Sequence, residues 1–116
     1  MTPTDRRAFP RYDAPATWSA RYLAEGRSDV GWRDCRVIDI SRGGAALEIE
    51  PQEAVEGLVA LELYALGDAP RNIALNGEVR HSTYLSSGAT RIGLEFVGVS
   101  AVEEQLLDLL LRLVEV

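Results

Sequence analysis

The chain predicts a mainly-β domain: an antiparallel barrel or sandwich closed by one C-terminal helix. Three observations predict it. Short apolar/polar alternations recur along residues 16–97. Turn residues separate them at fairly regular spacing, with no helical pattern between them. A single helical periodicity then follows from Ser100 onward.

Each element has its own justification. Residues 1–15 are polar, punctuated by Pro3 and Pro10, and read as a flexible arm before a single domain at 16–116. Trp18, Ala20 and Tyr22 alternate with polar positions, giving a first strand over 16–24. Residues 32–40 form a second, with Cys35 and Val37 on one face and Ile38 and Ile40 marking the other; Gly43-Gly44 breaks it. Ala45, Leu47 and Ile49 alternate with Ala46, Glu48 and Glu50 in a half-buried third strand, ended by Pro51. Val59, Leu61 and Leu63 face inward in a fourth, which stops at the Gly67-Asp68 turn. Ile73, Leu75 and Val79 mark the fifth, with a bulge expected at Gly77. Ile92, Leu94 and Phe96 mark the sixth, after the loop at Ser86-Ser87-Gly88.

The helix begins with a capping box, Ser100 and Glu103, in which each side chain satisfies a backbone donor near the other. Val102, Leu106, Leu109, Leu110 and Leu113 then recur at three- and four-residue steps. This stripe is expected to cover one opening of the barrel. Leu107, Leu111 and Val114 widen it beyond what one face needs, which leaves an edge that could bury against another chain.

Composition narrows the function classes. At 116 residues the chain supports one domain and one hydrophobic core. Its 47% apolar and 26% charged residues are those of a soluble globular protein. No apolar run reaches the length of a membrane span, and the first residues lack a signal-peptide core, so no membrane insertion and a cytoplasmic location are expected. A net charge of −6 argues against broad nucleic-acid binding, which needs a basic face. One cysteine and one histidine, His81, fall short of a metal-ligand set, so no metal and no cofactor are expected. Ser41 has no partner histidine in a triad arrangement, and no acid–base pair stands out, so no enzyme is expected. Trp18 and Trp32 read as packing at the core or the barrel end. Phe9 reads as an anchor for the arm, and Cys35 as a small buried hydrophobe.

Two short segments carry the chemistry. Arg6-Arg7-Ala8-Phe9-Pro10-Arg11 clusters three guanidinium groups in the arm. Asp39-Ile40-Ser41-Arg42-Gly43-Gly44 places a carboxylate, a hydroxyl and a bare backbone turn at a strand end. Arginine forks match phosphate oxygens and the O6/N7 edge of guanine, while a carboxylate accepts the hydrogen bonds that guanine's other edge donates.

These segments resemble the two signatures of the PilZ family of bacterial cyclic di-GMP receptors. Arg6, Arg7 and Arg11 reproduce Arg-Arg-x-x-x-Arg, and Asp39, Ser41 and Gly44 reproduce Asp/Asn-x-Ser-x-x-Gly. The runs Gly77-Glu78-Val79-Arg80 and Arg91-Ile92-Gly93-Leu94-Glu95-Phe96, with the closing helix, extend the resemblance over nearly the whole chain. The resemblance implies a six-stranded antiparallel PilZ-type β-barrel with a flexible N-terminal arm and a C-terminal α-helix. It implies a nucleotide-binding, signal-transduction module with cyclic di-GMP as ligand, held by Arg6, Arg7, Arg11, Asp39, Ser41 and Gly44. A downstream protein partner would read the bound state, in a motility, biofilm or polysaccharide output. A homodimer, ligand-dependent or through the C-terminal helix, fits the same reading. The alternative is an adaptor that works through protein partners without nucleotide. A small-barrel nucleic-acid binder is disfavoured by the acidic charge.

Overall fold

A computed structural model of the chain describes residues 9–25, 31–50, 55–65 and 71–115. The expected turns at Pro51 and Gly67-Asp68 lie outside them, as do Arg6 and Arg7. Among the described residues there are seven strands and one helix. They are β1 (Tyr12–Asp13), β2 (Ser19–Ala24), β3 (Arg33–Ile40), β4 (Gly44–Ile49), β5 (Leu58–Ala65), β6 (Arg71–Tyr84), β7 (Thr90–Val97) and α1 (Ala101–Glu115). The sheet order is β1-β3-β2-β5-β6-β7-β4, and an added β3–β4 pairing closes it. The result is a closed six-stranded antiparallel barrel with β1 as an extra strand, which is the predicted fold class. Tyr12 and Asp13, within the segment read as an arm, pair with Ile40 and Asp39 of β3. The first half of β3 pairs instead with β2. The chain leading out of the arm is thereby carried to the end of β3.

The interior follows from the alternation. Tyr22, Val37, Ile40, Leu47, Val59, Leu61, Leu63, Leu75, Ile92 and Leu94 form the barrel core. Closing the barrel removes the free edges that an open sheet of this length would expose. Trp18 packs partly buried against the core, as expected. Trp32 does not: it is 39% exposed, with the Arg21 guanidinium 5.1 Å from its ring centroid. Its place just before β3, outside the alternating run, takes it out of the interior and leaves it to stack on a cation.

Two further expectations are corrected. The irregularity in β6 falls between Val79 and His81, not at Gly77, which pairs regularly with Val59 and Phe96. Gly77 is small for a packing reason: a Cβ there would come within 3.1 Å of the Leu94 side chain.

The helix also presents a different face from the one expected. Leu107, Leu110 and Leu111 are buried on the barrel at 1%, 0% and 6% exposure, with Leu106 and Val114 packed partly buried against the core. Val102, Leu109 and Leu113 of the expected stripe point outward. Both faces are apolar, so periodicity alone does not choose between them. An ion pair accompanies the choice. Arg42, in the β3–β4 turn, donates to both Asp108 oxygens at 2.7 and 2.6 Å, a contact that goes with this rotation of α1 about its axis. The capping box forms as predicted: the Ser100 N–H donates to Glu103 Oε1 at 2.9 Å and the Glu103 N–H to Ser100 Oγ at 3.1 Å.

Three predictions follow from the fold. Leu107→Ala should destabilise the domain by about 2–5 kcal/mol in denaturant melts at low micromolar protein, whereas Leu109→Ala should stay within about 0.5 kcal/mol of the parent. Equal losses at both positions would refute this orientation of the helix. Burial, with help from the Asp34 charge, pushes the Cys35 thiol up to about 12. The thiolate is therefore disfavoured in the fold, so native protein should react slowly with a thiol-specific reagent at pH 8 and at the rate of a free thiol once denatured. Stability tied to this thiol should be intact below pH 9 and fall as pH rises toward 12, a slope that Cys35→Ala would remove.

Candidate functional site

The β3–β4 turn is held by the hydroxyl of Ser41. Ser41 is 2% exposed, and its Oγ accepts the N–H groups of Gly43 and Gly44, each at 3.2 Å. The same hydroxyl reaches the Gly44 carbonyl at 3.4 Å, and the Ser41 N–H donates to that carbonyl at 2.9 Å. The hydroxyl thus stands in for a missing strand partner and keeps the turn tight. Gly44 is required by close packing: a Cβ there would collide with the Leu94 carbonyl oxygen of β7. Gly43 lies under the Phe9 ring, whose edge would be 3.0 Å from an added Cβ, and the Gly43 carbonyl accepts from the Phe96 N–H at 2.9 Å. Phe9 therefore sits on the turn, as an anchor of the arm should.

Asp39 stands on β3 just before this turn, its side chain 13% exposed. Arg11 Nη1–H donates to Asp39 Oδ1 at 2.7 Å. Arg91 Nη2–H, from β7, donates to Oδ2 at 3.3 Å. The arginine segment and the carboxylate segment, 28 residues apart in sequence, thus meet at one side chain. Two guanidinium groups share one carboxylate, and Asp13 of β1 lies directly across the strand pair from it. Both arginines keep about two-fifths of their side-chain surface open, at 44% and 39%. Arg6 and Arg7 lie outside the described residues.

The sheet register extends this patch across the barrel wall. Asp39 pairs with Ala46, Ala46 with Gly93, and Gly93 with His81, so four strands contribute one row. Ala46 belongs to the outward set with Glu48, yet is 1% exposed. The exposed His81 ring lies directly against Gly93, where any Cβ would clash with it. A floor of two small residues therefore separates the Asp39 carboxylate from an imidazole. Sequence reasoning did not place Arg91, Gly93 or His81 at the site. The outward parity of Arg91, next to inward Ile92, was the signal for the first. The pairing of Gly93 with His81 depends on the β6 irregularity and leaves no local signal.

The turn also reaches the helix. Arg42, whose guanidinium is pushed further up by its hydrogen bonds and charge contact with Asp108, ties the turn to α1. A cleft of about 280 Å³ beside it is lined by Pro10, Tyr12, Arg42, Asp108, Leu111 and Arg112. Among the described residues no group of three or more His, Cys, Asp or Glu side chains is placed to hold a metal ion, and no helix is long and apolar enough to cross a membrane.

Comparison with known proteins places the fold. The B. subtilis inhibitor of motility MotI/DgrA superposes with a TM-score of 0.74 at 21% identity, over 97% of this chain and 56% of that one. The PilZ domain of E. coli YcgR, solved with c-di-GMP, gives 0.69 at 20% identity, over 96% and 92%. The K. pneumonia MrkH–c-di-GMP complex gives 0.70 at 17% identity, over 94% and 52%. At these identities the likeness is one of fold, and the chain spans only about half the length of MotI/DgrA and MrkH. No curated protein sequence matches the chain significantly. The family description "PilZ domain" matches residues 5–113, nearly the whole length: the chain belongs to the PilZ domain family.

Proposed function

We propose that this domain is a receptor for cyclic di-GMP that converts binding of the nucleotide into a change on its surface, without chemistry on the ligand. The observation that carries the reading is the 2.7 Å contact between Arg11 and Asp39, which brings the two signature segments into one patch. Membership in the PilZ family and the fold shared with c-di-GMP complexes of YcgR and MrkH support it.

The ligand carries about two negative charges on its phosphates and two guanines, and the patch has groups for each. Arg11 can exchange its bond to Asp39 for a phosphate or a guanine O6/N7 edge. Asp39 then accepts from guanine N1–H and N2–H, while Arg91 stays on its other oxygen. An adenine offers no such donor pair, and the unmet acceptor would cost on the order of 1–3 kcal/mol. Arg6 and Arg7 would add cations from the arm. Ser41 and Gly44 act by holding the turn in shape, since the hydroxyl is taken up by backbone groups. The Arg42–Asp108 pair would pass a shift of the turn to α1, where a downstream protein partner can read it.

Calorimetric titration with cyclic di-GMP should give a dissociation constant of about a micromolar or somewhat tighter. Arg11→Ala and Asp39→Ala should each weaken binding about ten- to a hundredfold, with unchanged melting temperatures. Wild-type protein that shows no heat at tens of micromolar ligand, or variants that match it, would refute the proposal. A partner recovered equally with and without nucleotide would favour the adaptor instead.

A further inference from the structure

The binding mode proposed above leaves the imidazole of His81 unused, although the fold carries it to the patch. His81 stands on β6, yet its ring leans across to the next strand. The atoms that a Cβ at Gly93 would strike are Cε1, Nε2 and Nδ1, so the nitrogen end of the ring lies over β7. Gly93 pairs with Ala46 of β4, and Ala46 with Asp39 of β3. The ring nitrogens therefore stand two strand spacings, about 10 Å, from β3, and in that row Ala46 alone lies between. The residue is exposed, and among the described residues its ring nitrogens have no hydrogen-bond partner.

Arg11 reaches Asp39 from the other side. β1 and β4 flank β3 at this point, and Arg11 comes from the β1 side. The carboxylate thus has a permanent cation on one side and a titratable group on the other. The charges around His81 have partners of their own. Arg80, next to it on β6, donates to Glu78 at 3.3 Å and to Glu95 of β7 at 3.1 Å. Arg91 of β7 donates to Asp39, and Glu48, opposite Arg91 on β4, accepts from Arg36. β5 ends its pairing with β6 at Leu58 and Glu78, before His81. On α1, Asp108 is taken by Arg42. Among the described residues no carboxylate bonds His81, so an imidazolium there finds its counter-charge in a ligand.

We infer that His81 is a further binding residue of this patch, whose imidazolium meets a phosphate of the nucleotide, so that affinity rises as the pH falls. The inference rests on the cyclic di-GMP reading proposed above. A guanine whose N1–H and N2–H edge meets Asp39 carries its ribose and phosphate away from the carboxylate, and the small residues Ala46 and Gly93 give them room toward β7. An imidazole gains its charge between about pH 8 and pH 5, a range in which phosphodiesters and ordinary carboxylates stay ionised. The protonated ring binds the anion better, so the contribution is largest at the acid end of this range and fades as the pH rises through it.

Calorimetric titration of the chain with cyclic di-GMP between about pH 5.5 and pH 8, at constant ionic strength, tests it. Affinity should rise about tenfold from the upper pH to the lower, as one charged hydrogen bond would supply. Buffers of different ionisation enthalpy should reveal net proton uptake on binding. His81→Gln should lose both the rise and the uptake. His81→Lys, a cation at every pH in this range, should give a flat profile with tighter binding than His81→Gln. Both variants should melt at the parent temperature, since the position is exposed. A flat wild-type profile, or a rise that persists in His81→Gln, would overturn the inference and leave the receptor reading standing. Wild type without affinity at any pH would overturn the receptor reading and this inference with it.

Discussion

The structure depends on the tight turn between β3 and β4. Pairing of these two strands closes the barrel, and the Ser41 hydroxyl holds the turn by accepting the N–H groups of half-buried Gly43 and buried Gly44. Gly44 lets β4 leave the turn flush against the β7 backbone. Asp39 is fixed at the mouth of this turn, and its position is therefore set by barrel closure itself. A carboxylate held at this tight turn has little freedom to relax, which is the condition for a preorganised site.

Around that fixed point two arginines converge on one carboxylate. Arg91 approaches from the barrel wall and Arg11 from the chain that precedes β1. The Arg11–Asp39 bond is exposed, and exposed ion pairs contribute typically about 0–1 kcal/mol, so under the proposed function moving Arg11 from Asp39 to a phosphate would cost the fold little. Arg42 leaves the same turn in the opposite direction and grips Asp108 through Nε and Nη2. The turn thus touches the Asp39 patch on one side and the helix on the other, which under the proposed function would give a short physical path from ligand binding to the outer surface.

Much of this was legible in the sequence. The alternation of Val59, Leu61 and Leu63, or of Ile92, Leu94 and Phe96, fixes which side faces the core, because a one-residue slip would turn a whole apolar set outward. Ser100 and Glu103 mark the helix start through purely local bonds. What was not legible depends on tertiary choice. Two apolar faces on α1 made either one eligible for the barrel, and a contact 66 residues away, between Arg42 and Asp108, goes with the face observed. The irregularity after Val79 shifts the register that brings His81 over Gly93, and Gly77 gave a false signal because its smallness serves Leu94 instead. The site was legible as two motifs but not as a patch, since Arg91 joins it only through the β4–β7 pairing.

Amide chemical-shift mapping during a cyclic di-GMP titration tests the central claim most directly. The account predicts that the largest shifts fall on Arg11, Asp39, the Ser41–Gly44 turn, Arg91 and Gly93, with smaller ones on α1 around Asp108. Shifts concentrated on the apolar cleft bordered by Leu23, Leu58 and Val97, with the turn silent, would contradict it.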